Sequence, residues 1–324
     1  MSDPSQTVFS VSAFLGFVMV LLPLTWHLHA WNSGTCYYMI WTAIACLNQF
    51  INSIIWSGNA ANSAPVWCDI STRIMLGAAV GIPAASACIM RRLYSISCLH
   101  SVAVTRAEKR RVVIVDTLAC VLFPLLFIVI QFFVQSHRYN IYEDIGCYPA
   151  NTNSIPTYFL SNIWPIIMGV VAIVYCGLSI LAFLHRQSQF DEFLSSNGSL
   201  TRSRYFRLMA MGMTAILCTT SLGIFVIWLS ATTEPIMPWR GLADAHHDFS
   251  RVEQIPAVEW RQDRLVSVYL EWTRWAVPFC ALVFFAFFGF AEEARRQYRK
   301  AIWTLARRFG FLRSDADSSE KSSS

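Results

Sequence analysis

Residues 112–135 read VVIVDTLACVLFPLLFIVIQFFVQ, twenty-four positions that carry a single charge, Asp116. A helix needs about 20 apolar residues, at a rise of about 1.5 Å each, to cross the hydrocarbon of a bilayer. Backbone groups in lipid must find their partners within the segment, so a span of this length is a helix. Working outward, comparable stretches occupy 8–29, 35–58 and 67–90 on one side and 157–184, 208–231 and 265–290 on the other. The gaps hold polar, turn-forming clusters such as NAANSAP at 59–65 and SSNGS at 195–199. The expected fold is all-α: a seven-transmembrane bundle over 1–290, then a cytoplasmic amphipathic helix and short polar tail over 291–324.

Composition agrees. Of 324 residues, 55% are hydrophobic and 14% charged, with mean hydropathy +0.44; a soluble chain carries about 25% charged residues. The first span begins close to Met1 with no basic residue before it, and it is too long for a signal-peptide core, so it reads as a retained helix. No separate soluble domain is expected at either end.

Lysine and arginine set the expected orientation. With the N-terminus outside, 18 fall in cytoplasmic segments, five fall outside (Arg138, Arg240, Arg251, Arg261, Arg264), and Arg73 and Arg274 lie within spans. Positive charge stays on the cytoplasmic side. The net charge of +5 is therefore a record of topology and calls for no nucleic-acid partner.

The ten cysteines show no CxxC and no zinc-ligand spacing. Most lie in spans, where a thiol behaves as a small hydrophobe. Cys68, at the outer start of helix 3, and Cys147, between helices 4 and 5, both face the oxidising side and are candidates for a disulfide.

An ionisable residue within a span costs about 2.5–3.5 kcal/mol on insertion scales. Asp69 and Arg73 share a face of helix 3, and Glu271 and Arg274 a face of helix 7. Arg73 and Glu271 each sit roughly 9 Å below the outer boundary. The matching depth leads to the expectation that helices 3 and 7 face each other through a charged pair. That pair reads equally as a structural bridge or as the polar floor of a ligand pocket formed by Asp69, Arg73, Glu271 and Arg274. Asp116 is expected to pair with a basic neighbour. Pro23, Pro83, Pro124, Pro165 and Pro278 lie in five of the spans and are expected to bend them. The basic ends Arg91, Arg92, Arg204 and Arg207 frame a candidate coupling surface, although positive-inside topology alone accounts for most basic residues.

Beyond helix 7, AEEARRQYRKAIWTLARRFGFL at 291–312 spaces Ala294, Tyr298, Ile302, Leu305, Phe309 and Leu312 along one face, with arginines opposite. This is the pattern of a helix lying on the anionic inner leaflet. It holds no cysteine for a palmitate. Several chemistries drop out. The lysines Lys109, Lys300 and Lys321 all lie outside the spans, so a retinal Schiff base has no attachment point. There is no HExxH, and Asp244, His246, His247 and Asp248 read as solvated loop residues. The sequon at Asn197 falls in a cytoplasmic loop. No cofactor, metal or enzymatic activity is expected.

At this point a receptor and a transporter or channel both remain open; an internal repeat, usual in transporters, is not found. Particular strings discriminate. LPLTWH at 22–27 and LNQFINSIIW at 47–56 resemble the first two helices of the a-factor-type fungal mating-pheromone receptors, the class D G-protein-coupled receptors. SAPVWCDISTRI at 63–74 and GIPAASACIMRRLY at 81–94 are similar to their third helix. PWRGLADAHHDFSRV at 238–252 resembles their third outer loop, and TRWAVPF at 273–279 with FFAFFGF at 284–290 their seventh helix. The resemblance runs from Val8 to about Tyr298 and is nearest to receptors of mushroom-type fungi; DRY and NPxxY motifs are absent, as the class implies. It implies a plasma-membrane receptor for a secreted peptide bearing a C-terminal farnesyl group and methyl ester. It also implies signalling through a heterotrimeric G protein to a MAP-kinase mating response. The chain ends sooner after helix 7 than tails common in such receptors. Whether the receptor forms a homodimer stays open. The third outer loop, mildly acidic through Glu234, Asp244, Asp248, Glu253, Glu259 and Asp263, is expected to steer the peptide towards the four buried charges.

Overall fold

The computed structural model describes residues 4–98, 105–185, 202–233, 235–290 and 299. Among the described residues, seven helices are long and apolar enough to cross a membrane. They are α1 (Pro4–Leu21), α2 (Ser33–Ile55), α3 (Pro65–Cys98), α4 (Arg106–Gln131), α5 (Ile155–His185), α6 (Arg202–Thr233) and α7 (Arg264–Phe288). The expected helix over 291–312, the tail and the Asn197 sequon lie outside the described residues, apart from a helical position at 299.

Local chemistry explains where the helices begin. Pro4 and Pro65 are the first residues of α1 and α3, and Pro156 lies in the first turn of α5, positions where a missing N–H costs nothing. Thr105 opens α4 with a capping box: its hydroxyl accepts from the Glu108 N–H at 3.3 Å, and the Glu108 carboxylate accepts from the Thr105 N–H at 2.8 Å. Asp263 caps α7 by accepting from the N–H groups of Leu265 and Val266.

The prolines act in different ways. Pro23 divides the first expected span, 8–29, into α1 and a short helix at Leu24–His29. Pro83 and Pro278 lie inside α3 and α7. Wider π-turns at Leu118–Leu122 and Tyr158–Asn162 stand just before Pro124 and Pro165. Pro124 also leaves the carbonyl four residues back, that of Cys120, without its helical donor. The Trp41 indole of α2 supplies one, at 2.8 Å.

The same indole shows how the bundle packs. Lipid is as apolar as leucine, so helices associate through close packing and interhelical hydrogen bonds, which favours small residues at contacts. α3 carries GAAVGIPAASA at 77–87 and is the central helix, with 78% of its membrane window buried against 22% for α4. It packs against α2, α4, α5 and α6. Gly77 and Gly81 leave a slot filled by Trp41; a Cβ on either would lie 2.6 Å from the ring. Gly81→Val is therefore expected to lower stability by about 1–3 kcal/mol through overpacking. In detergent thermal melts the Gly81→Val, Trp41→Ala double variant should lose less than the two singles added. Additive losses would place the Trp41 ring elsewhere. The opposite faces present Leu125, Val129, Val174 and Leu181 outward, as lipid-facing helices require.

At the end of the bundle carrying the N-terminus, the connections form a small sheet that the all-α expectation did not include. β1 (Tyr139–Tyr142) pairs antiparallel with β2 (Gly146–Tyr148) and parallel with β3 (Val252–Ile255), in the order β2-β1-β3. β1 and β2 come from the α4–α5 connection and β3 from the α6–α7 connection. Tyr139 and Ile141 pack with Trp56 beneath them. Gly146 sits at φ +99, and a Cβ there would meet Asn52 at 2.7 Å, so both its backbone conformation and the close approach require glycine.

Candidate functional site at the sheet-capped end

Cys68, one turn into α3, is disulfide-bonded to Cys147 in the middle of β2, with Cα atoms 5.2 Å apart. At the next residue after this anchor, Asp69 accepts two hydrogen bonds from Arg138, at 3.0 and 2.6 Å. Those bonds hold the Arg138 guanidinium above its ordinary pKa. Arg73, one turn deeper, donates to Gln135 Oε1 at 2.8 Å. The Gln135 amide nitrogen donates in turn to the carbonyls of His137 and Arg138. Asp69 and Arg73 thus share a face of α3, and both turn towards the segment leading from α4 into β1.

Glu271 and Arg274 form a second, separate node. Their ion pair spans 3.2 Å along α7, and the Trp275 indole donates to the other Glu271 oxygen at 3.0 Å. Arg274 is buried, donates to Gln6 Oε1 of α1, and lies 4.1 Å from the centre of the Phe9 ring. Gln6 completes the tie by donating to the Ser53 carbonyl of α2 at 2.9 Å. The expected pairing of Arg73 with Glu271 is not made; among the described residues no ion pair joins them. Equal depth does not make neighbours: α7 packs on α1, α2 and α6, and α2 stands between it and α3.

A residue that the sequence reading passed over holds the cap together. Asp144, in the β1–β2 turn at φ 68, accepts from the Gly58 N–H at 3.0 Å and from Arg261 at 3.0 Å. Its own N–H donates to the Trp56 carbonyl at 2.9 Å. One carboxylate thereby links the α2–α3, α4–α5 and α6–α7 connections. Its neighbour Glu143 accepts from the Ala257 N–H at 2.7 Å. Tyr148 of β2 donates to the Tyr269 hydroxyl of α7 at 2.6 Å, and burial raises the Tyr148 hydroxyl well above its ordinary pKa. Asp144→Ala should cost about 1–3 kcal/mol, from the stranded partners and from a strained φ that alanine tolerates less well. Asp144→Asn should recover part of this, since it keeps the Gly58 bond and the left-handed conformation. Equal melting temperatures for all three proteins would remove Asp144 from this role.

Several charged side chains of the acidic α6–α7 connection are committed to partners within the cap. Arg251 pairs with Glu253 at 2.9 Å, Asp263 caps α7, and Arg261 is taken by Asp144. Asp244, Asp248 and Glu259 remain exposed, while Glu234 lies outside the described residues. His246 bonds the Phe132 carbonyl at 2.9 Å and His247 the Asp244 carbonyl at 3.2 Å.

At the opposite end of the bundle, the four arginines singled out in the sequence fall into different settings. Arg91 of α3 pairs at 2.7 Å with Asp116 of α4, whose second oxygen accepts from the Ser33 hydroxyl at the start of α2. Arg92 donates to the Trp31 carbonyl. Arg207 lies 6.0 Å from the Phe288 ring of α7. The side chain of Arg204 lies outside the described residues. Beneath them, Tyr205 of α6 bonds Ser97 of α3 at 2.8 Å.

Residues 8–310 match the family described as pheromone A receptor. This chain belongs to the pheromone A receptor family. The receptor is 55% identical over 94% of its length to the pheromone B alpha 3 receptor of Schizophyllum commune, of which it covers 49%. It is 34% identical over 91% of its length to that organism's pheromone B beta 1 receptor, covering 54% of it. It is also 30% identical over 89% of its length to pheromone receptor 1 of Mycosarcoma maydis, covering 81% of that protein. The receptor thus spans about half the length of the Schizophyllum relatives. Its seven helices and its family make it a multi-pass protein of the plasma membrane.

Gln6, Gln135 and Asp144 are the site residues that sequence reasoning missed. The first two are uncharged partners of the buried Arg274 and the half-buried Arg73, and the third is an acid in a connection between helices. A usable signal existed for Asp144: it lies in a two-acid turn, Glu143-Asp144, before a glycine two residues on, where Asp tolerates a left-handed backbone.

Proposed function

We propose that the receptor binds a secreted peptide pheromone carrying a C-terminal farnesyl group and methyl ester at its sheet-capped end. Binding shifts the bundle and activates a heterotrimeric G protein at the opposite end, feeding a MAP-kinase mating response. The sheet-capped end faces outside, as the distribution of lysine and arginine requires. The observation that carries this reading is the buried Arg274, linked to α1 and α2 through Gln6 and lying below a cap built from three connections. A guanidinium buried within a span is costly and needs a reason. Here its bonds join three helices, so a ligand that competes for Gln6 or Glu271 changes how those helices pack. On this reading Asp69 and Arg73 respond from the α3 side and Glu271 and Arg274 from the α7 side, as two separate contact points.

The inner surface is framed by the ends of α3, α5 and α6. Arg91, Arg92, Arg204 and Arg207 are the coupling candidates: Arg91 contacts Asp116, Arg92 the Trp31 carbonyl, and Arg207 lies against the Phe288 ring. The test is a G-protein reporter in a mating-competent host exposed to synthetic farnesylated peptides. The expected result is activation by one or a few peptides. Neutralising Arg204 and Arg207 together should abolish the response while surface level and ligand binding persist. A wild-type receptor that binds none of the peptides would overturn the ligand reading, and full signalling by the neutralised variant would overturn the coupling surface.

A further inference from the structure

A groove of about 400 Å³ runs along the bundle's flank between the N-terminal half of α1 and the last turns of α2. Its apolar walls include Val11, Phe14 and Ile54, which are themselves exposed, so the groove opens sideways towards lipid. Phe14 and Phe50 meet across it with ring centres 5.0 Å apart. Its polar side is Gln6, Ser10 and Ser53: the two hydroxyls bond each other at 2.8 Å, and Gln6 donates to the Ser53 carbonyl. Among the described residues, no charged side chain lines it.

Those features select an occupant. An opening into hydrocarbon admits a chain that arrives through the membrane and excludes a water-soluble group. The volume lies at the small end of ligand sites, which run from about 300 to 1,000 Å³, and so suits one chain better than a two-chain lipid. A phospholipid would also bring a charged headgroup to a rim of hydroxyls and amides. A single apolar chain ending in a neutral polar group, such as an ester or thioether, fits both surfaces. We propose that this groove receives the lipid chain of the peptide ligand. The proposal rests on the reading of the chain as a receptor for a prenylated peptide and gives that reading a second subsite. Gln6 forms part of the groove and also accepts from Arg274. A chain seated there therefore presses on the same side chain that fixes the α7 guanidinium, which couples occupancy to the position of α7.

The test uses the full chain in lipid vesicles and a photoreactive farnesyl-cysteine methyl ester with a diazirine in the chain. Crosslinks mapped by mass spectrometry should concentrate on 7–15 and 50–57. Excess unlabelled farnesyl-cysteine methyl ester should compete, and cysteine methyl ester should not. Val11→Trp and Ile54→Trp, both at lipid-exposed positions, should fill the groove and cut labelling by about tenfold or more, equivalent to removing a few buried methylenes. Labelling spread evenly over the lipid-facing sides of all seven helices overturns the proposal, as does labelling unchanged in both tryptophan variants. The reporter assay keeps the two readings apart. If a farnesylated peptide activates wild type and both tryptophan variants with the same dose–response, the groove fails and the receptor reading stands. If crosslinking selects the groove but no peptide signals, the groove stands and the receptor reading fails.

Discussion

Cys147→Ala is expected to remove most of the folded receptor from the cell surface. The bond between Cys68 and Cys147 joins positions 79 residues apart. In the chain-entropy account, closing a loop of that length contributes about 4–5 kcal/mol, a large part of the roughly 5–15 kcal/mol by which a domain is stable. Other ties between α3 and the segment leading into the cap are the Arg73–Gln135 hydrogen bond and the Asp69–Arg138 pair, with side chains 45% and 36% exposed. Exposed pairs contribute only about 0–1 kcal/mol, so they cannot replace the covalent link. Both sulfurs are buried beside Trp56 and Tyr139, and losing the bond loosens that cluster as well. Flow cytometry of an epitope-tagged receptor should show Cys68→Ala, Cys147→Ala and the double variant reduced to the same level, because each removes the same bond. Normal surface levels in all three, with both thiols recovered free from native membranes, would sink this account.

How far the sequence could be read depends on the range over which each feature is determined. The seven spans were legible because insertion is decided by apolar length within one segment: 112–135 declares itself without reference to any other part of the chain. Boundaries drifted where a local feature competed. Pro23 ended α1 at Leu21, and α3 continued to Cys98, about 51 Å in all at 1.5 Å per residue, beyond the hydrocarbon that defined its expected end at residue 90. The sheet was illegible for a different reason. β1 and β3 are four residues each, too short for alternation to stand out, and they meet across more than a hundred residues of chain. Among the charges within the spans, residue count set an expected depth for Arg73 and Glu271 but not their azimuth. Depth follows from residue count along one helix, whereas facing depends on which helices are neighbours. That information lies in packing details such as Trp41 in the slot of Gly77 and Gly81. Family membership then supplied what geometry could not, a basis for proposing the class of signal.

Arg91 and Asp116 offer the sharpest separation of structure from signalling. The Asp116 side chain is 1% exposed and Arg91 is 29% exposed, so the two deletions are not equivalent. Arg91→Leu strands a buried carboxylate whose one other hydrogen-bond partner among the described residues is the Ser33 hydroxyl, and breaking a buried pair in this way costs about 3–5 kcal/mol. Asp116→Leu strands the guanidinium instead. Arg91 lies seven residues before the end of α3 on a long flexible stem, and such side chains reach towards the interface when released. Its loss should therefore be the smaller one. Replacing both by leucine removes the desolvated charges together, which is often neutral or stabilising by about 1–4 kcal/mol. Surface level and thermal stability should consequently rank the single Arg91→Leu lowest, Asp116→Leu above it and the double variant close to wild type. Wild-type stability in Arg91→Leu would show that Asp116 has another partner and would discard the pair. Given the expected ranking, signalling by the double variant decides what Arg91 is for. A normal pheromone response makes the pair a fastener of α3 to α4 and α2. A stable but silent receptor would return Arg91 to the coupling surface, because its charge would then be required after its structural task has been removed.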